Sequence, residues 1–172
     1  MASLMENLID VLDKENSEYE ILLALSTRKT PIIVKGDLAE LEKITDEEQI
    51  VVSHINHLEK TREEIINDIA SVINKDVLTL KLSNIIQMLE SRPVEKKKLA
   101  LVHDKLQFTI KNMVRVNEQN KQLIMNSLEM IEFDLNVIQA MNTAPESANY
   151  NKGAINVGSS LGNNKGGFDA KQ

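Results

Sequence analysis

Two histidines have a spacing that could serve metal chemistry. His54 and His57 lie three residues apart, so on a helix they would share one face. A metal site needs further ligands, yet the chain has no cysteine and no Glu-x-x-His pair, since the residues three before its histidines are Val51, His54 and Ala100. We therefore interpret both histidines as solvated surface residues and expect no metal and no other cofactor.

Nucleophilic catalysis has no support in the residue pattern either. The chain lacks a thiol, a glycine-flanked serine and, in the part expected to fold, a glycine-rich phosphate loop. The usual arrangements that activate a nucleophile or hold a phosphate are therefore missing. We expect that the protein is not an enzyme.

Polar residues at apolar positions of the helical pattern are more informative. Arg62 is one of them, and if the first two helices pair as a hairpin it faces Asp10 or Asp13, which predicts an ion pair. Asn117 and Asn120 occupy similar positions further along. A buried asparagine commonly fixes helix register, whereas a half-covered one would leave a surface that receives a partner's helix. Both interpretations are open from the sequence.

Apolar residues recur along the chain at steps of three and four, which predicts amphipathic helices. These helices would position the side chains named above. The first predicted helix starts at Leu4 and should stop or kink at Thr30-Pro31, since proline disfavours helical geometry in the residue before it. The others are expected at 38–73, 80–91 and 93–141.

Turn residues mark the boundaries between these helices. Gly36 predicts a left-handed turn, Asp37 an N-cap, and Glu40 three residues later a capping box. Thr79 is a candidate cap for the short third helix, and Pro93 suits the first turn of the fourth.

Composition favours an all-α fold. The chain is 42% apolar, yet it has only two tyrosines, three phenylalanines and no tryptophan, so aliphatic residues must build the core. We predict an elongated antiparallel helical bundle or coiled-coil hairpin of three long helices plus one short one, over 1–142. Five of the six glycines lie in 143–172, which we predict to be a flexible Gly/Asn-rich, disordered tail because it cannot bury enough apolar surface.

The net charge of −6 argues against nucleic acid as a partner, because that affinity depends on lysine and arginine. The longest apolar run, 21–25, is far below the roughly 20 residues of a membrane span, so no stable membrane insertion is expected. The first residues carry acids where a signal peptide carries bases. We expect a soluble, cytoplasmic protein.

Several short patterns, in their order along the chain, resemble the FlgN-type flagellar export chaperones. They are Glu18-Tyr19-x-x-Leu22-Leu23, Val34-x-Gly36-Asp37-Leu38-x-x-Leu41, Glu48, Leu58-Glu59-x-x-Arg62, Thr79-Leu80, Asn117-x-x-Asn120-x-x-Leu123-Ile124-x-x-Ser127-Leu128, Tyr150-x-x-Gly153 and Phe168-Asp169-Ala170-Lys171. The resemblance covers nearly the whole chain.

The resemblance implies a chaperone that binds the C-terminal amphipathic helices of hook-filament junction (hook-associated) proteins, prevents their early assembly and delivers them to the type III export gate. Recognition would place a helix in a groove between long helices. The tail would contact the gate, with Tyr150 as the candidate. The candidate partner-binding residues are Met113, Asn117, Asn120, Leu123, Ile124, Ser127 and Leu128.

A rival hypothesis belongs to another class of protein. Long amphipathic helices are also typical of structural coiled-coil proteins that self-associate, with a homodimer as the simplest form. That protein would have no preference for junction-protein segments.

Overall fold

The computed structural model describes residues 2–77 and 80–143, and they form helices with no strand among them. The elements are α1 (Ala2–Lys35), α2 (Leu38–Ile73), α3 (Leu82–Met88), a 3-10 turn (Leu89–Ser91) and α4 (Pro93–Thr143). The all-α prediction is confirmed. By its internal contacts the chain divides into two units, Met1–Glu132 and Phe133–Gln172. The predicted tail falls on residues outside the described ranges, apart from Thr143, which ends α4, and both the tail and its boundary stay predictions.

The long helices of the first unit run up, down and up. α1 and α2 form an antiparallel hairpin whose closed end is the turn at Gly36. α4 runs parallel to α1, because Thr109 bonds Asn16 and, further along both helices, Asn120 bonds Ser26. α3 therefore lies at the open end of the hairpin, where α2 stops and α4 begins.

The hairpin turn follows the sequence prediction except in one contact. Gly36 has a φ of 68°, in the left-handed region that glycine tolerates. Asp37 caps α2, since its Oδ1 accepts from the Glu40 backbone N–H at 3.1 Å. The reciprocal half of the capping box is absent: the Asp37 N–H donates to the Ile32 carbonyl at 3.3 Å, and the Glu40 carboxylate accepts from Lys43 Nζ at 2.6 Å.

The predicted stop or kink at Pro31 was wrong, because α1 continues through it to Lys35. Proline cannot donate to the carbonyl of Thr27 four residues earlier. Thr27 is exposed, so water can reach this carbonyl, and the last turn of α1 is held by burial of Ile33. Tertiary packing therefore outweighs the local preference of the proline.

The start of the third helix was also predicted two residues too early. α3 begins at Leu82 with Lys81 in the N-cap position and without a side-chain cap bond. Thr79 lies outside the described residues. Pro93 begins α4, as predicted from its missing N–H.

Apolar side chains pack in two clusters along the hairpin. The open-end cluster joins α1, α2, α3 and α4 through Met5, Leu8, Leu12, Ile69, Ala70, Leu80, Ile85, Leu89, Leu99, Val102 and Leu106. The second cluster joins α1 and α2 nearer the turn through Leu22, Leu25, Ile44, Val51 and Ile55. These clusters hold the helices that form the candidate site.

The predicted ion pair of Arg62 with Asp10 or Asp13 was wrong. Arg62 Nε lies 3.3 Å from Oε1 of Glu15, whose carboxyl is 1% exposed. Asp10 instead binds Lys14 at 2.7 Å on the surface. Arg62 therefore lies beside the buried carboxyl of Glu15 rather than beside a surface carboxylate, because a nearby cation offsets part of the hydration that the charged form of Glu15 has lost.

Candidate helix-binding groove

An apolar groove opens between the hairpin turn and α4. We call it the tip groove, with a cavity volume of about 320 Å³. It is lined by Ile33, Val34, Lys35, Gly36, Leu38, Leu41, Ile124, Ser127, Leu128 and Ile131. It lies wholly within the unit Met1–Glu132.

The hairpin turn forms one wall of the tip groove. Because α1 ends at Lys35 and α2 begins at Leu38, the turn brings the last residues of one helix beside the first residues of the other. Val34 is 68% exposed and Leu38 is 77% exposed, although both are apolar. Ile33 and Leu41 lie deeper. Large apolar side chains exposed beside a concave surface are typical of a binding site.

The other wall belongs to α4, which Asn120 fastens to α1. Asn120 is 4% exposed; its Nδ2 donates to the Ser26 carbonyl at 2.7 Å, and its Oδ1 accepts from Thr30 Oγ1 at 2.6 Å. Ile124 and Leu128 follow one and two turns later on the same face. Leu128 is 60% exposed, so this wall also presents uncovered apolar surface.

The structure separates the seven partner-binding candidates. Ile124, Ser127 and Leu128 line the tip groove. Leu123 is half-buried next to them but is not part of the lining. The binding role of all of them stays a prediction.

The earlier candidates on α4 have other surroundings. Met113 packs against the second apolar cluster, and the exposed Asn117 donates to its sulfur at 3.0 Å. Asn120 uses both ends of its amide within the protein. Of the two interpretations that the sequence leaves open, the register-fixing one describes the contacts of Asn120.

Seven lining residues were not among the sequence candidates. They are Ile33, Val34, Lys35, Gly36, Leu38, Leu41 and Ile131. A signal existed for two of them, because Val34 and Leu38 are apolar residues flanking a tight turn, where a purely structural connection would be polar. The periodicity of apolar residues does not show that α4 packs against this turn, so the other lining residues could not be predicted from it.

A comparison with models of protein families identifies the family of this chain. The model described as FlgN protein matches residues 1–156. The chain belongs to the FlgN family. No curated protein and no solved structure matches the chain.

FlgN-family membership assigns the chain to the flagellar export chaperones, a family of chaperones rather than enzymes. The tip groove is consistent with that class, since a chaperone for helical clients needs an uncovered apolar surface.

In the described ranges no helix has the length and apolarity that a membrane crossing demands. The same residues contain no group of three or more potential metal-ligating side chains, and His54 Nδ1 lies 3.4 Å from Glu18.

A buried ionic layer crosses this FlgN-family hairpin near its middle. Burial raises the pKa of Glu15 to about 7, which the Arg62 cation opposes and the Glu59 carboxylate reinforces. Glu15 Oε1 and Arg62 Nε are close, but they do not meet in hydrogen-bonding geometry. Burial and Glu59, which accepts from the Tyr19 hydroxyl at 3.3 Å, also raise the pKa of Tyr19. At 1% exposure the Glu15 carboxyl is out of reach of a substrate, so this layer affects stability rather than catalysis.

The second unit contributes uncovered apolar side chains of its own. In the helical segment 133–143 five of them are exposed by 41% to 72%: Phe133, Leu135, Val137, Ile138 and Met141. A helix with this much exposed apolar surface has room for a partner helix along it.

Proposed function

We propose that this protein is a cytoplasmic chaperone for hook-filament junction proteins. It binds their C-terminal amphipathic segments in the tip groove, keeps them from assembling early and delivers them to the flagellar export gate. One observation carries the proposal: an apolar groove lies between the hairpin turn and α4, and three residues of a family-like motif line it, namely Ile124, Ser127 and Leu128.

The exposed side chains of the groove suffice for measurable affinity. Val34, Leu38, Leu128 and Ile131 are 55% to 77% exposed. Full burial of one such side chain stabilises a complex by roughly 1.5–3 kcal/mol. Four partial burials, after the cost of immobilising a peptide, suit a dissociation constant on the order of micromolar.

The test is a calorimetric titration of the full chain with a C-terminal peptide of a junction protein. Leu128→Asp places a charge in the groove, and we expect binding at least about tenfold weaker. Leu101→Asp is the matched control, because Leu101 lies on the same helix and is similarly exposed, at 63% against 60% for Leu128. Both variants should keep the helical circular dichroism of the parent.

Two results would count against the proposal. The first is the absence of detectable binding by the parent chain. The second is an equal loss of affinity in Leu128→Asp and Leu101→Asp, which would place the peptide elsewhere or show that charge alone disturbs binding.

Gate contact by the tail is a separate step of the same proposal. Tyr150 lies outside the described residues, so its support is the resemblance of the tail motif alone. Tyr150→Ala should leave cargo affinity unchanged and lower the secretion of junction proteins. Loss of cargo affinity in this variant would mean that Tyr150 belongs to the cargo site instead.

Self-association is the alternative function, favoured by the exposed apolar residues of α4. It predicts a mass in sedimentation that grows with protein concentration and no preference for junction-protein peptides. The chaperone proposal predicts a different result when cargo peptide is added. Either the sedimenting mass increases only by the mass of the bound peptide, or the peptide dissociates any oligomer of the free protein.

A further inference from the structure

A second groove lies at the open end of the hairpin, between the first turns of α1 and of α4. We call it the open-end groove, and its cavity volume is about 720 Å³. Its apolar side chains include Ile9 from α1 and Val94 and Leu101 from α4. Val94 is 64% exposed and Leu101 is 63% exposed, so the floor is not covered by the described chain. This is a separate surface from the tip groove and shares no residue with it.

The apolar floor continues along α4 as exposed apolar residues at every seventh position, and the intervening positions 97 and 104 are the polar residues Lys97 and Asp104. Val94, Leu101 and Phe108 follow one another at steps of seven, and Phe108 is 68% exposed. From Val94 to Phe108 the stripe is about 21 Å long. A seven-residue repeat keeps one line of a helix facing a neighbouring helix. The shape therefore fits a helix of about four turns, lying along α4.

The α1 wall of the open-end groove is acidic. Glu6, Asp10 and Asp13 lie on it at steps of four and three, which places them on one helical face. Among the described residues, Lys98 is the one cation that lines the groove, and Glu95 lies beside it. Lys97 and Lys98 also line an adjoining apolar pocket beside Val94 and Leu101, so the negative charge is concentrated on the α1 side. Asp10 has an ion pair with Lys14, but both side chains are more than 60% exposed, so this pair is weak. The groove thus combines an apolar floor with an excess of negative charge.

We propose that the open-end groove binds a cationic amphipathic helix of a partner protein. Its apolar face would pack on Val94, Leu101 and Phe108, and lysines or arginines on the adjacent flank would face Glu6, Asp10 and Asp13. Charge complementarity selects this occupant. A second copy of this chain is disfavoured, because each copy has a net charge of −6 and brings the same acidic wall.

The inference is independent of the cargo proposal, because the two grooves have different lining residues and electrostatics. Within the described part of the chain, the tip groove has one charged lining residue, Lys35, whereas the open-end groove has four carboxylates among its lining residues. A protein with both grooves can hold two different helices at once. One helix would be the secretion client, and the other would come from a basic partner.

The experiment uses the full chain and a synthetic capped helical peptide as the probe. The peptide has leucines at one-turn spacing on one face and lysines along one flank, and a second peptide carries glutamates in place of the lysines. We expect the lysine peptide to bind at least about tenfold more tightly than the glutamate peptide, with affinity that falls as salt is raised.

Matched variants place the probe on the protein. The double variant Asp10→Asn with Asp13→Asn should weaken the lysine peptide about fivefold or more, since both carboxylates face it. The control is Glu42→Gln with Asp46→Asn, which removes the same charge from an exposed face of α2 and should change affinity less than about twofold.

Two further variants test the apolar contact. Leu101→Ala should weaken the lysine peptide and leave a cargo peptide unaffected, while Leu128→Ala should do the reverse. The proposal is overturned if both peptides bind equally, if the control variant loses as much affinity as the groove variant, or if Leu101→Ala has no effect. It is also overturned if sedimentation shows a dimer of the free chain that Leu101→Ala dissociates, because the groove would then belong to a second copy.

Discussion

Replacing Glu15 with glutamine removes a buried carboxylate while keeping the shape of the side chain. Glu15 is 1% exposed, and its Oε1 makes no hydrogen bond with the residues that the structure describes. Arg62 lies 3.3 Å away and offsets only part of the lost hydration, so the pKa of Glu15 rises to about 7. Below about pH 7 the folded protein therefore prefers the protonated, neutral carboxyl of Glu15.

The sign and size of the effect follow from that pKa. The ordinary value is 4.5 and the folded value is about 7, so the contribution of Glu15 to stability is most favourable below pH 4.5 and becomes less favourable as the pH rises towards 7. One pKa unit corresponds to about 1.4 kcal/mol, and the difference between 7 and 4.5 therefore gives about 3 kcal/mol. Glu15→Gln cannot ionise, so this loss should be absent in the variant.

The assay is urea unfolding followed by helical circular dichroism, at several values between about pH 4.5 and about pH 8. We expect the free energy of unfolding of Glu15→Gln, minus that of the wild type, to increase by about 3 kcal/mol over this range. Any constant cost of leaving Arg62 beside an amide cancels in this comparison. Glu63→Gln, on the exposed face of α2, controls for the loss of one carboxylate.

A difference between wild type and Glu15→Gln that does not change with pH would refute the reasoning. It would mean that Arg62 and relaxation of the helices compensate fully for the burial of the charge. A difference of the opposite sign would mean that the ion pair stabilises the fold, and the pKa of Glu15 would then have to lie below its ordinary value.

Three further changes test the hairpin and its attachment to α4. Pro31→Ala restores an N–H near the C-terminal end of α1 and should raise the free energy of unfolding by about 1–3 kcal/mol, measured by urea titration. Gly36→Ala should lower it by about 1 kcal/mol, because the residue has a φ of 68° and no atom within 4 Å of the added Cβ, so backbone strain is the whole cost. Asn120→Leu removes both hydrogen bonds to α1 and should cost about 1–3 kcal/mol; calorimetry should also show weaker cargo binding, although Asn120 is buried.

Helix α2 shows how far local signals can determine a fold. Its predicted span of 38–73 matches the structure, because Gly36-Asp37 supplies both a turn and a cap and no proline interrupts the apolar repeat. Asn74 in the left-handed region ends it. Pro31 illustrates the reverse, since the local rule predicts a stop and the buried Ile33 holds the helix beyond it.

Pairings between helices were harder to predict than the helices themselves. Arg62 was recognised as a charged residue in an apolar stripe, but its partner was misplaced by about one turn. Helical spacing gives the faces of α1 and α2, whereas their relative shift depends on the geometry of the turn. The tip groove was predictable to the same extent. The sequence indicated its α4 wall, but the wall formed by the hairpin turn could be identified only once the structure showed that this turn packs beside α4.

Directional contacts explain why the tip groove has a defined shape. A seam made only of leucines could shift by one turn at small cost, and a shift of that size would move Leu128 by about 5.4 Å. Hydrogen bonds at two levels prevent this: Thr109 donates to Asn16 at 2.9 Å, and Asn120 donates to the Ser26 carbonyl at 2.7 Å. Because buried polar groups left unpaired are costly, each level has one favourable register. Asn120 therefore sets where Leu128 lies in the tip groove, and this is how it would affect client binding in the proposed function.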